Sequence, residues 1–190
     1  MLAGLLGFLA ATVYSSFLEW FIHKHVMHTR RYSQEAFRRH VVDHHDTRRA
    51  LNRFYVPIED EKSYDLGSTS AIPVLWLLHA PLYAAVWWAF GRGAAVGTAL
   101  GGGLYLTCYE VVHHYIHAPK GYRFQRTRAF RFLCEYHRVH HHKPRLNYNI
   151  VLPIADFCLR TISLQDMRIE PNRPLPVPPD EGPRKLHRTP

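Results

Sequence analysis

The chain has 190 residues, with 24 Lys or Arg against 15 Asp or Glu for a formal net charge of +9, and 15 His. That length gives one domain with a core of its own and excludes an assembly of several. The three cysteines, Cys108, Cys134 and Cys158, lie far apart with no CxxC pair, which excludes an iron–sulfur signature and a disulfide framework; they are expected to be reduced and buried.

The first element, Met1 to Ile22, is apolar apart from Glu19 and long enough to cross a bilayer. It has no basic leader and no small-residue cleavage site, so it is expected to stay rather than be removed as a signal peptide. The first histidine cluster follows, His23-Lys-His25-Val-Met-His28. Its outer members are five apart, which on a regular helix separates them by about 140°. The helix is therefore expected to end or bend near His28, or the pair to divide between two metals.

The second cluster is His40-Val-Val-Asp-His44-His45, with His40 and His44 expected on one helical face. A second apolar run, Ala71 to Phe90, contains no charged residue except for its histidine, His79. After Arg92 comes a third run, Ala94 to Val112, rich in glycine as closely packed membrane helices are. It leads into His113, His114 and His117. A last helix carries His137, His140, His141 and His142. Residues 166–190, with seven prolines from Pro171 onward, read as a tail without a fixed fold beyond a domain of residues 1–165.

Charge predicts the topology. Nine Lys or Arg lie between His23 and Ser70, fourteen from His113 to the end, and one at Arg92. By the positive-inside rule both basic segments face the cytoplasm, which requires about three crossings with the N-terminus outside. All four clusters then lie on one side, as a helical cap on an all-α membrane bundle. Buried core helices of a soluble protein are the competing reading of the apolar runs. The basic residues flank these runs and no nucleic-acid motif is present, so anionic lipid or an acidic redox partner suits the charge and nucleic acid is not expected.

Thirteen of the fifteen histidines fall into these four clusters. Imidazole is the commonest metal ligand, and repeated His at helical spacing points to a metal centre; about ten well-placed rings suggest two ions. His25, His114 and His142 lie off the repeating pattern and read as supporting or surface residues. His79 and His187 are not expected to be ligands. Glu19, Glu110 and Asp156 are the candidate acids to accept the second N–H of ligand rings, Asp156 having a helix cap as its alternative role.

The stretch from Glu19 to about Thr161 resembles the membrane-bound fatty acid hydroxylase and sterol desaturase superfamily. The most specific part is Tyr109-Glu110-Val-Val-His113-His-Tyr-Ile-His117, then Tyr136-His137-Arg-Val-His140-His141, then Asn147-Tyr-Asn149 leading to Pro153 and Asp156. It is most similar to the pattern of bacterial fatty acid hydroxylases, while His23-Lys-His25-Val-Met-His28 also resembles the start of short carotenoid hydroxylases. The resemblance implies a di-iron site on His23, His28, His40, His44, His45, His113, His117, His137, His140 and His141, with O2 as co-substrate. It also implies hydroxylation or desaturation of a lipid C–H bond, on a fatty-acyl lipid first and a carotenoid ring or sterol second. One departure is visible: the family's second cluster is commonly HxxHH, and here one more residue separates His40 from His44.

No dinucleotide fingerprint, haem attachment site or iron–sulfur motif is present, so electrons are expected from an external donor of ferredoxin or cytochrome b5 type with its reductase. The lipid would enter beside Trp76, Tyr83, Trp87 and Trp88. A zinc hydrolase and a metal transporter or store are the rival readings. The number of histidines and the lack of HExxH speak against the first, and the clusters' place at the ends of the apolar runs against the second.

Overall fold

The computed structural model describes residues 1–50, 54–55 and 77–168. Trp76, His187, the first part of the second apolar run and the tail from residue 169 lie outside the described residues.

Helix α1 (Leu2–Phe21) forms from the first apolar run and passes without interruption into a π-helical segment, Ile22–Met27. The wider winding is visible in the bond from the His28 amide to the His23 carbonyl, five residues back, at 3.1 Å. A short α2 (Gln34–Phe37) is capped by Ser33, whose hydroxyl accepts from the Ala36 amide at 3.0 Å. It runs into a second π-helical segment, Arg38–Asp46, and then α3 (Thr47–Ala50).

Helix α4 (Ala80–His117) is broken at Gly91, whose φ of 84° and ψ of 171° only glycine adopts readily. The chain reverses there. In a straight helix Tyr83 and Gly102 would be about 28 Å apart, yet a Cβ placed on Gly102 would lie 3.7 Å from the Tyr83 hydroxyl. After the reversal α4 runs alongside α1 in the same direction. A Cβ on Gly97 would collide with the Gly4 carbonyl, and one on Gly101 would lie 2.6 Å from the Phe8 carbonyl. Further along, Tyr105 donates to Glu19 and Tyr109 reaches Met27. Both helices therefore deliver their C-terminal ends, with His23 and His28 on one and His113 and His117 on the other, to the same end of the molecule.

A 3-10 turn (Arg123–Arg126) leads to α5 (Arg128–His142), capped by Thr127, whose hydroxyl accepts from the Phe130 amide at 3.3 Å. A loop then returns to α6 (Ile154–Cys158). The apolar core beneath the histidines is Tyr109, Ile116, Phe130, Cys134 and Ile150. Cys134 is buried as expected, but Cys108 is half-buried and Cys158 exposed, because α6 is a single short turn with one side open. The described residues form helices and loops without a strand, in line with the all-α expectation.

Among the described residues one helix, Leu2–Met27, is long and apolar enough to cross a membrane. Only 28% of its most apolar window is buried inside the protein, unlike a soluble core helix. Leu2, Leu5, Leu6, Leu9 and Val13 on α1, and Trp87, Trp88, Phe90 and Leu100 on α4, are all exposed. An exposed apolar surface of this extent is of the kind that marks a membrane or protein contact.

Candidate metal centre

The structure brings the ten expected histidines together. His23, His28, His40, His45 and His140 form one group with ligand atoms within 4.8 Å of one another. His44, His113, His117 and His137 form a second. His141 joins His44 and His45 in a third, lying between the other two, with its ring stacked on that of His45 at 4.1 Å between centroids. The groups could each hold a metal ion.

The π-helical segments decide which ring goes where. A π-helix sets residues five apart on one face, so His23 and His28 meet in the first group although an α-helix would part them. His40 and His45, also five apart, face each other with Nε2 atoms 3.2 Å apart. The expected pairing of His40 with His44 at one ion is corrected: their rings stack at 5.4 Å, but His44 turns to the second group. Helix α5 is regular, and its three-residue spacing sends His137 and His140 to different groups, while His141 stands between them.

The orientation of three rings is set by main-chain carbonyls. His23 Nδ1 donates to the Tyr148 carbonyl, His140 Nδ1 to Leu146 at 2.7 Å, and His117 Nδ1 to Phe54 at 3.0 Å. A carbonyl oxygen only accepts, so in each neutral ring the proton sits on Nδ1 and the Nε2 lone pair is left over. Those Nε2 atoms lie 2.9 Å from His40, 3.1 Å from His28 and 3.0 Å from His137. His137 Nε2 has the Nε2 atoms of His113, His117 and His141 all at 3.0 Å. One N–H can serve one neighbour, so lone pairs are directed at one another in a buried site. A cation relieves that repulsion, and the donor set fits one.

Protonation would be the other relief, and burial opposes it. His44, His45, His137 and His141 are held well below the usual imidazole range, first by burial and then by neighbouring imidazoles. His140 is pushed down to about 3, again chiefly by burial. These five rings therefore stay neutral and available as ligands at ordinary pH.

Two of the three candidate acids have partners other than a ligand ring. Glu19 accepts from Tyr105, Asn149 and the Ile150 amide, with no imidazole bonded to it among the described residues. Asp156, fully buried, accepts from the Tyr148 and Asn149 amides at 3.1 and 2.7 Å, from the Tyr136 hydroxyl at 2.8 Å and from Thr161 at 2.6 Å. Both hold the 146–150 loop, and the loop's carbonyls hold the rings. Glu110 is buried on α4 one turn before His113. Of the histidines set aside, His25 packs against Trp20 and Phe21, His114 is buried beside Tyr115, His142 is exposed, and His79 bonds Tyr14.

Sequence reasoning missed the carbonyls of Phe54, Leu146 and Tyr148, and it missed Arg48, whose Nε lies 3.4 Å from His44 Nδ1. Only Asn147-Tyr148-Asn149 left a trace in the sequence, as an Asn-rich turn. No family model, curated protein or solved structure matches the chain.

Proposed function

We propose that the protein is a membrane-bound, O2-dependent di-iron oxidoreductase that hydroxylates or desaturates a lipid C–H bond, a fatty-acyl lipid first and a carotenoid ring or sterol second. The observation that carries this reading is the convergence of ten imidazoles into adjoining groups at the ends of two long apolar helices. A group of five rings exceeds the four ligands of a tetrahedral zinc site, which favours the higher coordination of iron.

Iron held here supplies O2 activation and the power to break an unactivated C–H bond, which no side-chain acid or base has. The chain's own residues do the rest. The carbonyls of Tyr148, Leu146 and Phe54 fix the tautomers of His23, His140 and His117. The Phe54 ring packs on His117 of the second group and on His141. An apolar cleft between α1 and α4 runs up to His23 and gives a lipid its approach.

The exposed apolar faces and the reversal at Gly91 support a multi-pass arrangement in which α1 and the end of α4 cross in one direction and the segment before Gly91 in the other. The histidines then lie on the cytoplasmic face, beside exposed Arg30, Arg31 and Arg145, a surface suited to an acidic electron donor. The test is metal content of full-length protein purified in mild detergent with iron supplied, followed by turnover under 18O2 with a reductase system and host lipids. Two irons per chain and an 18O-labelled hydroxyl on a lipid are expected. A single inert zinc with no O2 uptake would overturn the proposal in favour of a hydrolase or structural role.

A further inference from the structure

The cleft that approaches His23 is open and mostly apolar, with Leu18, Ile22 and Leu106 among its walls. Glu19 and Tyr105 are bonded to each other partway along it, and further polar groups lie toward its two ends. At one end are His23, Met27 and Tyr109, on the edge of the first histidine group. Toward the other, Tyr14 and His79 meet across the two helical segments, with the Tyr14 hydroxyl 3.2 Å from His79 Nε2 and the His79 ring stacked on Tyr83. Tyr14 and His23 are nine residues apart on a continuous helix, which places the two ends about 13 Å from each other along the axis.

We infer that Tyr14 and His79 form a recognition site for the uncharged polar terminus of an amphiphilic lipid whose apolar body lies in the cleft and whose far part reaches the histidine array. A hydroxyl and an imidazole bonded to each other in an otherwise apolar wall form a polar point of uncharged hydrogen-bonding type, which matches an alcohol or an ester carbonyl. Among the described lining residues none is Lys or Arg, and the one ionisable acid is Glu19. An ionised carboxylate or phosphate would find no countercharge among these described residues, and burying an unpaired charge is costly. The ligand class is therefore a neutral alcohol or ester, with the position of attack set by the distance from this polar pair. This inference rests on the reading of the histidine array as a lipid-oxidising centre, but binding itself needs no metal.

The test uses full-length protein in lipid nanodiscs and a diazirine-bearing dodecanol as probe, with unlabelled dodecanol, dodecane and dodecanoic acid as competitors. Cross-linked peptides are expected from α1 and from the segments around His79 and Gly102, with dodecanol competing at least tenfold better than either dodecane or dodecanoic acid. Tyr14→Phe and His79→Leu are each expected to remove most of that preference while leaving competition by dodecane unchanged. Tyr14→Phe deletes one oxygen and keeps the ring, so it remains informative should His79→Leu fold poorly. Equal competition by the three compounds, tightest binding of the acid, or a preference that survives Tyr14→Phe overturns the inference. Metal content of the same samples separates the two claims. Two irons without an alcohol preference defeats the recognition site alone; the preference without iron defeats the oxidase reading alone.

Discussion

His40 and His45 are five residues apart in sequence, and their Nε2 atoms lie 3.2 Å apart in one histidine group because the helix that carries them is wound as a π-helix from Arg38 to Asp46. The additional residue between His40 and His44, the one departure from the resembled pattern, is what the wider winding accommodates. Removing Val42, an exposed residue, should let the segment relax to an α-helix in which His40 and His45 become four-residue neighbours that still share a face. Metal content per chain should then stay close to that of the parent protein. Insertion of one alanine after Val42 should instead lose most of the metal. Equal loss in the two variants would show that the winding is not what places these rings.

Acidification should unfold the metal-free protein in a defined window. In the unfolded chain a histidine titrates near pH 6.5, whereas His140 in the fold is held near 3 and His44, His45, His137 and His141 are also held down by burial. Above about pH 6.5 both states are neutral and stability is flat; as pH falls from there toward 3 the unfolded state takes up protons that the fold refuses. Each such ring costs up to about 1.4 kcal/mol of stability per pH unit. Denaturation midpoints of the apo-protein measured from pH 8 to 4 should fall only below 6.5, and a midpoint that rises on acidification would contradict the burial of neutral rings.

The close approach of α1 and α4 makes two neighbouring glycines unequal. Gly97→Ala places a methyl group on the Gly4 carbonyl, and should destabilise the pairing by about 1–3 kcal/mol. At Gly93 the nearest atom to an added Cβ is 4.0 Å away, so Gly93→Ala should be close to neutral. Thermal melting of the two variants in detergent checks this, and a similar loss in both would place the contact elsewhere.

Asp156 lies in no histidine group, yet it should govern the first one. Its carboxylate holds the Tyr148 amide at 3.1 Å, and the Tyr148 carbonyl holds His23. Asp156→Asn turns one acceptor into a donor facing N–H and O–H groups, so the loop must shift and His23 with it. Metal affinity is expected to drop about tenfold or more, the usual effect of disturbing an outer partner of a ligand histidine. His142→Ala, at an exposed ring on the same helix as His140 and His141, should change nothing in a metal titration.

The four clusters, their helices and the ten rings that meet were readable because imidazole chemistry and helical spacing are local properties of a sequence. Which ring joins which group was not, since it depends on two π-helical segments that local pattern does not announce. The partners of the rings were hidden for another reason: His23 meets Tyr148 across 125 positions and His117 meets Phe54 across 63, and both accept through the main chain, whose identity no side chain reveals. Glu19 was picked out as a carboxylate in an apolar run. That signal was sound, but its partners proved to be Tyr105, Asn149 and Ile150, because the loop after α5 folds back over α1.

Asn147 stands between the two carbonyls that hold His140 and His23, with φ at 56° in the left-handed region and its side chain bonded to Tyr136 and Ser163. Since Leu146 and Tyr148 contribute to ring orientation through atoms every residue possesses, their side chains are at liberty to drift with respect to this role, whereas the backbone bend between them is not. Variation among descendants of this chain should accordingly be tolerated more readily at Leu146 than at the asparagine beside it, which lies in no histidine group. The placing of the rings would be inherited through the shape of a turn.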